Sequence, residues 1–200
     1  MISIYKIKPG FQKLLSPILV GLHKIGVTAN QITWSSIFLS LLIGIAFWFA
    51  DAYRFLFLAL PFGLLVRMAL NALDGMMART YNQQTKEGEV LNELGDVISD
   101  VFIYFPLLVF EKQIIYLVVL FMSLSIINEF AGLIGKALSG ERRYDGPMGK
   151  SDRAFVMGIY GVFSFLSIDF KLYSNWFFSV IIILLVISTA IRINKALKAT

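Results

Sequence analysis

The chain has 200 residues, of which 58% are hydrophobic and 16% are charged, with a formal net charge of +5. A soluble domain of this size has too little interior to bury that much apolar surface, so the composition indicates a membrane protein. The lack of cysteine excludes disulfides and thiolate metal sites, and the single histidine excludes a multi-histidine metal site within one chain. We expect membrane lipids and no nucleic acid as partners, because a basic soluble face would not explain the apolar runs.

Residues 1–31 are predicted to form a cytoplasmic segment with a helix that lies in the membrane interface. Apolar residues recur there at helical spacing, and the lysines fall off that stripe. The stripe consists of Phe11, Leu14, Leu15, Ile18, Leu19 and Leu22. The alternative is a short extra helix buried in the protein.

Residues 32–200 are predicted to be an all-α integral membrane domain with six transmembrane helices, because a spanning helix needs about 20 mostly apolar residues. The predicted spans are residues 32–49, 55–73, 90–110, 114–134, 154–168 and 172–191. This count puts 15 of the 18 Lys and Arg on one side of the membrane and leaves Arg54, Lys112 and Lys171 on the other. Such a bias predicts that both termini are cytoplasmic.

Polar residues gather around the connection between the second and third spans, where charges are costly and usually functional. The first helix carries Asn71, Asp74 and Ala78 on one face, and the second carries Gly88, Asn92, Asp96 and Asp100 at intervals of four. Because the connection is short, we expect the two helices to pack as antiparallel neighbours. Their carboxylates and amides would then converge just inside the cytoplasmic surface.

Converging oxygen ligands without His or Cys suit a hard divalent cation, Mg²⁺ or Mn²⁺, and such ions commonly bridge phosphate oxygens. Gly75 and Gly88 would let a bulky ligand approach the backbone, and Arg79 offers a planar fork for a phosphate. The pattern therefore indicates metal-assisted phosphoryl chemistry at a membrane surface. A buried polar network that holds two helices together remains the alternative.

The run Asp74-Gly75-x-x-Ala78-Arg79, followed by Gly88, Asn92 and Asp96 after eight, three and three residues, resembles the signature of the CDP-alcohol phosphatidyltransferases. The resemblance implies that a phosphatidyl group passes from a CDP-linked lipid such as CDP-diacylglycerol to a small polar alcohol, with release of CMP, in phospholipid biosynthesis. It also implies a homodimer. We expect the protein in the plasma or inner membrane, with its active site on the cytoplasmic side.

In the family, four Asp residues hold two divalent ions and the last acts as the base; here these positions are Asn71, Asp74, Asn92 and Asp96. The resemblance gives catalytic roles to Asp74 and Asp96, and CDP binding to Gly75, Ala78, Arg79 and Gly88. Two amides lower the negative charge of the site by two, which should weaken metal binding. The site could hold one tight and one weak ion, or Asp100 could supply a missing carboxylate. The protein could also be an inactive member that binds a nucleotide-lipid or a protein.

Asp100 has a structural interpretation as well, because it and Arg67 lie deeper than the proposed site and could pair inside the membrane. Asn128 and Glu129 are other candidate partners for Arg67. A transporter that uses Arg67, Asp100 and Glu129 as a relay is a further alternative.

The loop after the fourth span concentrates four cations, which are predicted to bind the acceptor: Arg142, Arg143, Lys150 and Arg153. An alcohol that carries phosphate would be drawn to them. The alternative is that these residues follow the positive-inside rule and contact lipid head groups.

Overall fold

The computed structural model describes residues 8–167 and 171–199, and within these ranges all regular secondary structure is helical. The helices are α1 Lys8–Lys24, α2 Ala29–Trp48, α3 Ala59–Thr80, α4 Lys86–Tyr104, α5 Leu107–Phe110, α6 Ile115–Ser139, α7 Lys150–Phe165 and α8 Lys171–Lys198. Short 3₁₀ turns at Arg54–Leu58 and Lys112–Ile114 lead into α3 and α6. The all-α prediction is confirmed.

Helix α2 begins at a capping box. The backbone N–H of Gln31 donates to the Thr28 hydroxyl oxygen at 3.3 Å, and the Gln31 side-chain carbonyl accepts from the Thr28 backbone N–H at 2.9 Å. These bonds satisfy groups that a helix start otherwise leaves without partners. They fix where α2 starts, and α2 is the helix that the proposed site is built around.

Helix α2 packs against both α3 and α4, while α6 packs against α8 and α3 against α7. The close approach of α2 to α4 requires Gly44, because a Cβ at that position would lie 2.2 Å from the Phe102 carbonyl oxygen. Gly161 plays the same part in α7, where a Cβ would lie 2.7 Å from the Phe57 carbonyl oxygen. Both contacts bring helix backbones together without a side chain between them.

The largest apolar cluster, which we call the apolar end, joins the seven helices α2 to α8. Its most deeply buried side chains include Phe47, Ile103, Tyr104, Phe121, Met157 and Phe178. The rings interlock: Phe47 stacks on Phe110 with centroids 4.9 Å apart, and Phe121 meets Phe178 edge-on at 5.7 Å. Close packing and burial of apolar side chains therefore hold these seven helices together at the apolar end.

Four helices in the described ranges are long and apolar enough to cross a membrane: Ala29–Trp48, Arg54–Thr80, Lys112–Ser139 and Tyr173–Lys198. They cover the predicted spans one, two, four and six. Large apolar side chains point outward from them, including Trp34, Phe38, Phe62 and Trp176, as lipid-facing surfaces require.

The third and fifth predicted spans do not meet that standard, so the count of six stays a prediction. Helix α4 has acidic residues along much of its length and ends at Tyr104, before the short α5. Helix α7 has only 16 residues, and Ile168, the predicted end of span five, lies outside the described residues.

The N-terminal helix α1 forms within the predicted segment and packs against α3. Leu15 and Leu19 are buried against a small cluster that includes Leu73 and Met77. Leu14 and Ile18, from the same predicted stripe, are 72% and 52% exposed. One part of the predicted stripe is thus buried against the protein, and the other part is exposed. The interfacial position of α1 and the domain boundary at residue 31 stay predictions.

Candidate active site

Asp74 on α3 and Asp96 on α4 are both buried, with 3% and 7% of their surface exposed. We expected α3 and α4 to pack directly against each other, but each packs mainly against α2. The space between them is bridged by long polar side chains, because Arg67 and Asn71 on α3 both bond to Asp96 on α4. The two carboxylates therefore lie in a polar seam closed on one side by α2.

Asp74 is held through one of its two oxygens. The Thr33 hydroxyl donates to Oδ2 at 3.0 Å, and the side-chain amide of Asn92 donates to the same oxygen at 3.2 Å. Oδ1 is buried and has no hydrogen-bond partner in the described part of the chain. Such an oxygen is costly to bury unless a donor or a cation meets it.

Asp96 is held through both oxygens. The side-chain amide of Asn71 donates to Oδ1 at 3.2 Å, and the Lys150 ammonium bonds to Oδ2. Arg67 donates to the Asp96 backbone carbonyl at 3.2 Å, with its guanidinium 4.0 Å from Oδ1. The two site carboxylates thus have different surroundings.

Helix α2 supplies site residues that the sequence analysis missed. Thr33 bonds to Asp74, and the Ser36 hydroxyl donates to the Asn71 carbonyl oxygen at 2.7 Å. Thr33, Ser36 and Ser40 are buried and follow one another at helical intervals. That hydroxyl stripe, in a helix otherwise rich in apolar residues, is the signal that could have revealed them.

A cavity of about 570 Å³ opens beside Asp74. Its lining includes all four predicted CDP-binding residues and comes from four helices and the connection between α3 and α4: Asn30, Thr33, Asp74, Gly75, Ala78, Arg79, Gln83, Lys86, Gly88, Glu89, Asn92 and Lys136. A Cβ on Gly88 would lie 2.6 Å from the Asn30 side-chain oxygen, and one on Gly75 would lie 3.2 Å from the Arg79 guanidinium. The two glycines therefore keep the cavity open, whereas Asp96 is not part of its lining.

Beyond Asp96 lies a buried set of ion pairs that we call the charged cluster: Arg67, Glu93, Asp100, Glu129, Arg142 and Arg153. The predicted pairing of Arg67 with Asp100 is confirmed at 2.7 Å. Arg153 bonds to the other Asp100 oxygen at 2.7 Å and to Glu129 at 2.9 Å. Both Asp100 oxygens therefore face arginines, which leaves this carboxylate no free oxygen for a metal.

The four predicted acceptor-binding residues lie in different settings. The Arg153 side chain is 0% exposed inside the charged cluster, and Arg142 bonds to Glu93 at 2.8 Å and to Glu129 at 2.9 Å. Arg143 packs over α6 and donates to the Ser139 hydroxyl at 3.3 Å. Lys150 alone contacts one of the two site carboxylates, Asp96.

Arg142 lies in the loop between α6 and α7, outside the helices. Burial alone would lower the pKa of its guanidinium, but Glu129, Tyr144 and Glu93 raise that pKa above the ordinary value. Arg142 is therefore a fixed positive charge that is already matched by two carboxylates.

The described residues contain no group of three or more His, Cys, Asp or Glu side chains arranged as metal ligands. Amides at positions 71 and 92 are the reason, since they leave only two carboxylates in the seam. The donor set still fits one hard divalent cation, because Asp74 lines the cavity and has a buried oxygen without a partner.

Comparisons with known proteins bear on this arrangement. The chain is 45% identical to the inner membrane protein YnbA of Escherichia coli (strain K12) over 195 residues, which covers 98% of this chain and 96% of the relative. Its fold is similar to that of the phosphatidylinositol phosphate synthase PgsA1 of Mycobacterium tuberculosis. The structure of that enzyme with CDP-DAG bound has a TM-score of 0.75 at 21% identity and covers 92% of this chain and 94% of the other.

A second structure of the same enzyme, in complex with manganese and citrate, has a TM-score of 0.73 at 20% identity and covers 90% of this chain and 87% of the other. At these identities the likeness supports the fold alone. The family model for CDP-alcohol phosphatidyltransferase matches residues 26–190. That match spans the helices that carry the two carboxylates, the glycines and the cavity, and the chain belongs to the CDP-alcohol phosphatidyltransferase family.

Proposed function

We propose that this protein transfers a phosphatidyl group from CDP-diacylglycerol to a small polar alcohol and releases CMP, as a step of phospholipid biosynthesis. The observation that carries the proposal is the position of Asp74 at a glycine-lined cavity, with Asp96 on the neighbouring helix. Membership of the family supports it, and so does the similar fold of an enzyme whose structure holds CDP-DAG.

The cavity is the proposed site of the nucleotide and its diphosphate. Arg79 and Lys86 line it and have no carboxylate partner among the described residues, so their charges are available to phosphate oxygens. Gly75 and Gly88 let the diphosphate approach the backbone of α3 and α4. The lipid chains of the donor would lie along the apolar outer surface of the helices.

Mg²⁺ or Mn²⁺ would fit this site as a cofactor, held by Asp74 with the amide oxygen of Asn92 as a neutral ligand, whereas the Asn71 oxygen already accepts from Ser36. When bound, such an ion would neutralise charge on the diphosphate. The protein groups do the rest. Thr33 and Asn92 hold Asp74 in place, and Arg79 orients the phosphates.

Asp96 is the proposed general base. Its carboxylate takes the proton of the acceptor hydroxyl while the hydroxyl oxygen attacks the phosphorus of the phosphatidyl group. The bond from that phosphorus to the bridging oxygen breaks, and CMP leaves with the bridging oxygen. Lys150 and Asn71 hold the carboxylate in position, and Arg67 holds the backbone of α4 beneath it.

The proposed location is the inner membrane, with both termini and the active site on the cytoplasmic side. The distribution of Lys and Arg supports this orientation. The name of the Escherichia coli relative, an inner membrane protein, agrees with the compartment. A homodimer is proposed from the family resemblance.

The test is an assay of purified protein with radiolabelled CDP-diacylglycerol and one acceptor at a time: glycerol phosphate, serine, inositol or inositol phosphate. We expect one acceptor to give a new labelled lipid and an equal amount of CMP, and EDTA to stop both. If no acceptor gives divalent-dependent CMP release, the inactive, ligand-binding alternative replaces this proposal.

A further inference from the structure

The two carboxylates of the site differ in what they can still bind. Asp74 has a buried oxygen, Oδ1, without a partner in the described residues, and it lines the cavity. Asp96 has the Asn71 amide on one oxygen and the Lys150 ammonium on the other, and it does not line the cavity. Of these two carboxylates, only that of Asp74 lines the cavity and keeps an oxygen without a partner for a cation.

The charges around Asp96 also disfavour a second cation there. Asp96 and Lys150 form a pair whose formal charges cancel, with the Lys150 side chain 27% exposed and that of Asp96 8% exposed. Arg67 adds a positive charge 4.0 Å from Asp96 Oδ1, although its main partner is Asp100. A divalent ion on Asp96 would have to displace an ammonium and lie near a guanidinium, which like-charge repulsion opposes.

The two amides also act as donors here. The Asn71 NH₂ group donates a hydrogen bond to Asp96 Oδ1, and the Asn92 NH₂ group donates one to Asp74 Oδ2. The carbonyl oxygen of Asn71 is already taken by Ser36. Neither amide adds negative charge, so no residue at positions 71 or 92 offsets the cationic surroundings of Asp96.

We propose that the site takes a single divalent cation, bound through Asp74, and that Lys150 serves as the permanent cationic partner of Asp96 in place of a second metal ion. This inference rests on the proposed function for its substrate, but it concerns metal binding alone. Lys150 is accordingly a positioning residue that holds the Asp96 carboxylate in place for the acceptor.

The experiment is a titration of the purified protein with Mn²⁺ in detergent, with CDP present and no acceptor, in which the spectrum of free Mn²⁺ is followed by electron paramagnetic resonance. We expect one Mn²⁺ per chain. Asp74→Asn should raise the Kd at least about a hundredfold, because it removes the negative charge of the one site carboxylate that lines the cavity. The double variant Asp96→Asn/Lys150→Met removes a neutral pair, and its Kd should stay within about threefold of the wild-type value.

Asp51→Asn, the same substitution at an exposed residue far along the chain from the site, controls for the change of charge. Lys150→Met alone should free Asp96 and add a second, weaker Mn²⁺. Two equivalent ions in the wild type would overturn the proposal, and so would loss of Mn²⁺ in the double variant or a single ion in Lys150→Met. Because no acceptor is present, these results stand apart from the proposed function, which fails only if the acceptor panel gives no CMP.

Discussion

The helical bundle is held together by different forces at the apolar end and at the charged cluster. At the apolar end, aromatic rings pack against one another, as Phe47 does on Phe110 and Phe121 on Phe178. In the charged cluster, Arg153 and Arg67 share Asp100 and are almost wholly buried. The first arrangement tolerates small changes of volume, whereas the second depends on every partner being present, because an unmatched buried charge is far more costly than a small void.

The charged cluster lies beside Asp96, where the proposed chemistry needs a fixed geometry. Arg67 links Asp96 to the charged cluster, because it bonds to the Asp96 backbone carbonyl and to the Asp100 carboxylate. Hydrogen-bonded ion pairs fix the relative orientation of their side chains as well as the distance between them. The charged cluster therefore fixes the orientation of α4 and the position of Asp96 on it. A core of apolar side chains would stabilise the helices equally well without fixing that direction.

The largest effect is expected from Asp96→Asn, which keeps the shape of the side chain and removes its basicity. We expect kcat for CMP release to fall about 10³-fold, as loss of a general base usually causes. Thermal stability in detergent should change little, since Lys150 is partly exposed and can be solvated once its partner is gone. Asp51→Asn serves as the matched control, and activity near the wild-type level in Asp96→Asn would remove this residue from the mechanism.

Breaking the charged cluster comes next. Arg153→Leu leaves Asp100 and Glu129 without one of their arginines, and we expect it to lower the free energy of unfolding by about 3–5 kcal/mol. Lys136→Leu breaks the exposed pair with Glu89 and should cost no more than about 1 kcal/mol. Denaturant titration of both variants in the same detergent measures the two decreases in the free energy of unfolding. Equal decreases would show that a buried pair in the charged cluster contributes no more to stability than an exposed pair.

Much of this site could be predicted from the sequence, because spacing along a single helix is a local property. The intervals of three and four residues placed Asn71 with Asp74 and Asn92 with Asp96, and depth in the membrane suggested that Arg67 meets Asp100. Each inference needed only the geometry of one helix and the short connection to the next.

What could not be predicted depends on contacts between distant segments. Lys150 reaches Asp96 and Arg153 turns into the charged cluster only because the loop before α7 folds back over α6. The number of basic residues in that loop suggests that they bind the acceptor, but composition does not say which of the arginines are already paired within the protein. Hydropathy likewise gave one long third span, and the break between Tyr104 and Leu107 appears only in the structure.

A smaller change is expected at the cavity. Gly88→Ala places a methyl group where only 2.6 Å separates it from the Asn30 side-chain oxygen, so Asn30 must shift into the cavity or leave its preferred rotamer. A cost near 1 kcal/mol for such a shift would raise KM for CDP-diacylglycerol about fivefold and leave kcat nearly unchanged. Gly21→Ala, where a Cβ meets nothing within 4 Å, is the matched control. An unchanged KM in Gly88→Ala would mean that the nucleotide binds elsewhere.

The smallest effect tests the apolar end. Ile103 is fully buried in α4, one turn beyond Asp100, so the same helix passes from the charged cluster into the apolar end within a few residues. Ile103→Val removes one methyl group and should lower the free energy of unfolding by about 1 kcal/mol. Its kcat should equal that of the wild type, because the void that it leaves does not alter the pairs that aim Asp96. Ser99→Ala, a buried change of similar size nearer the site, gives the comparison, and a fall in kcat for Ile103→Val alone would show that packing at the apolar end also positions Asp96.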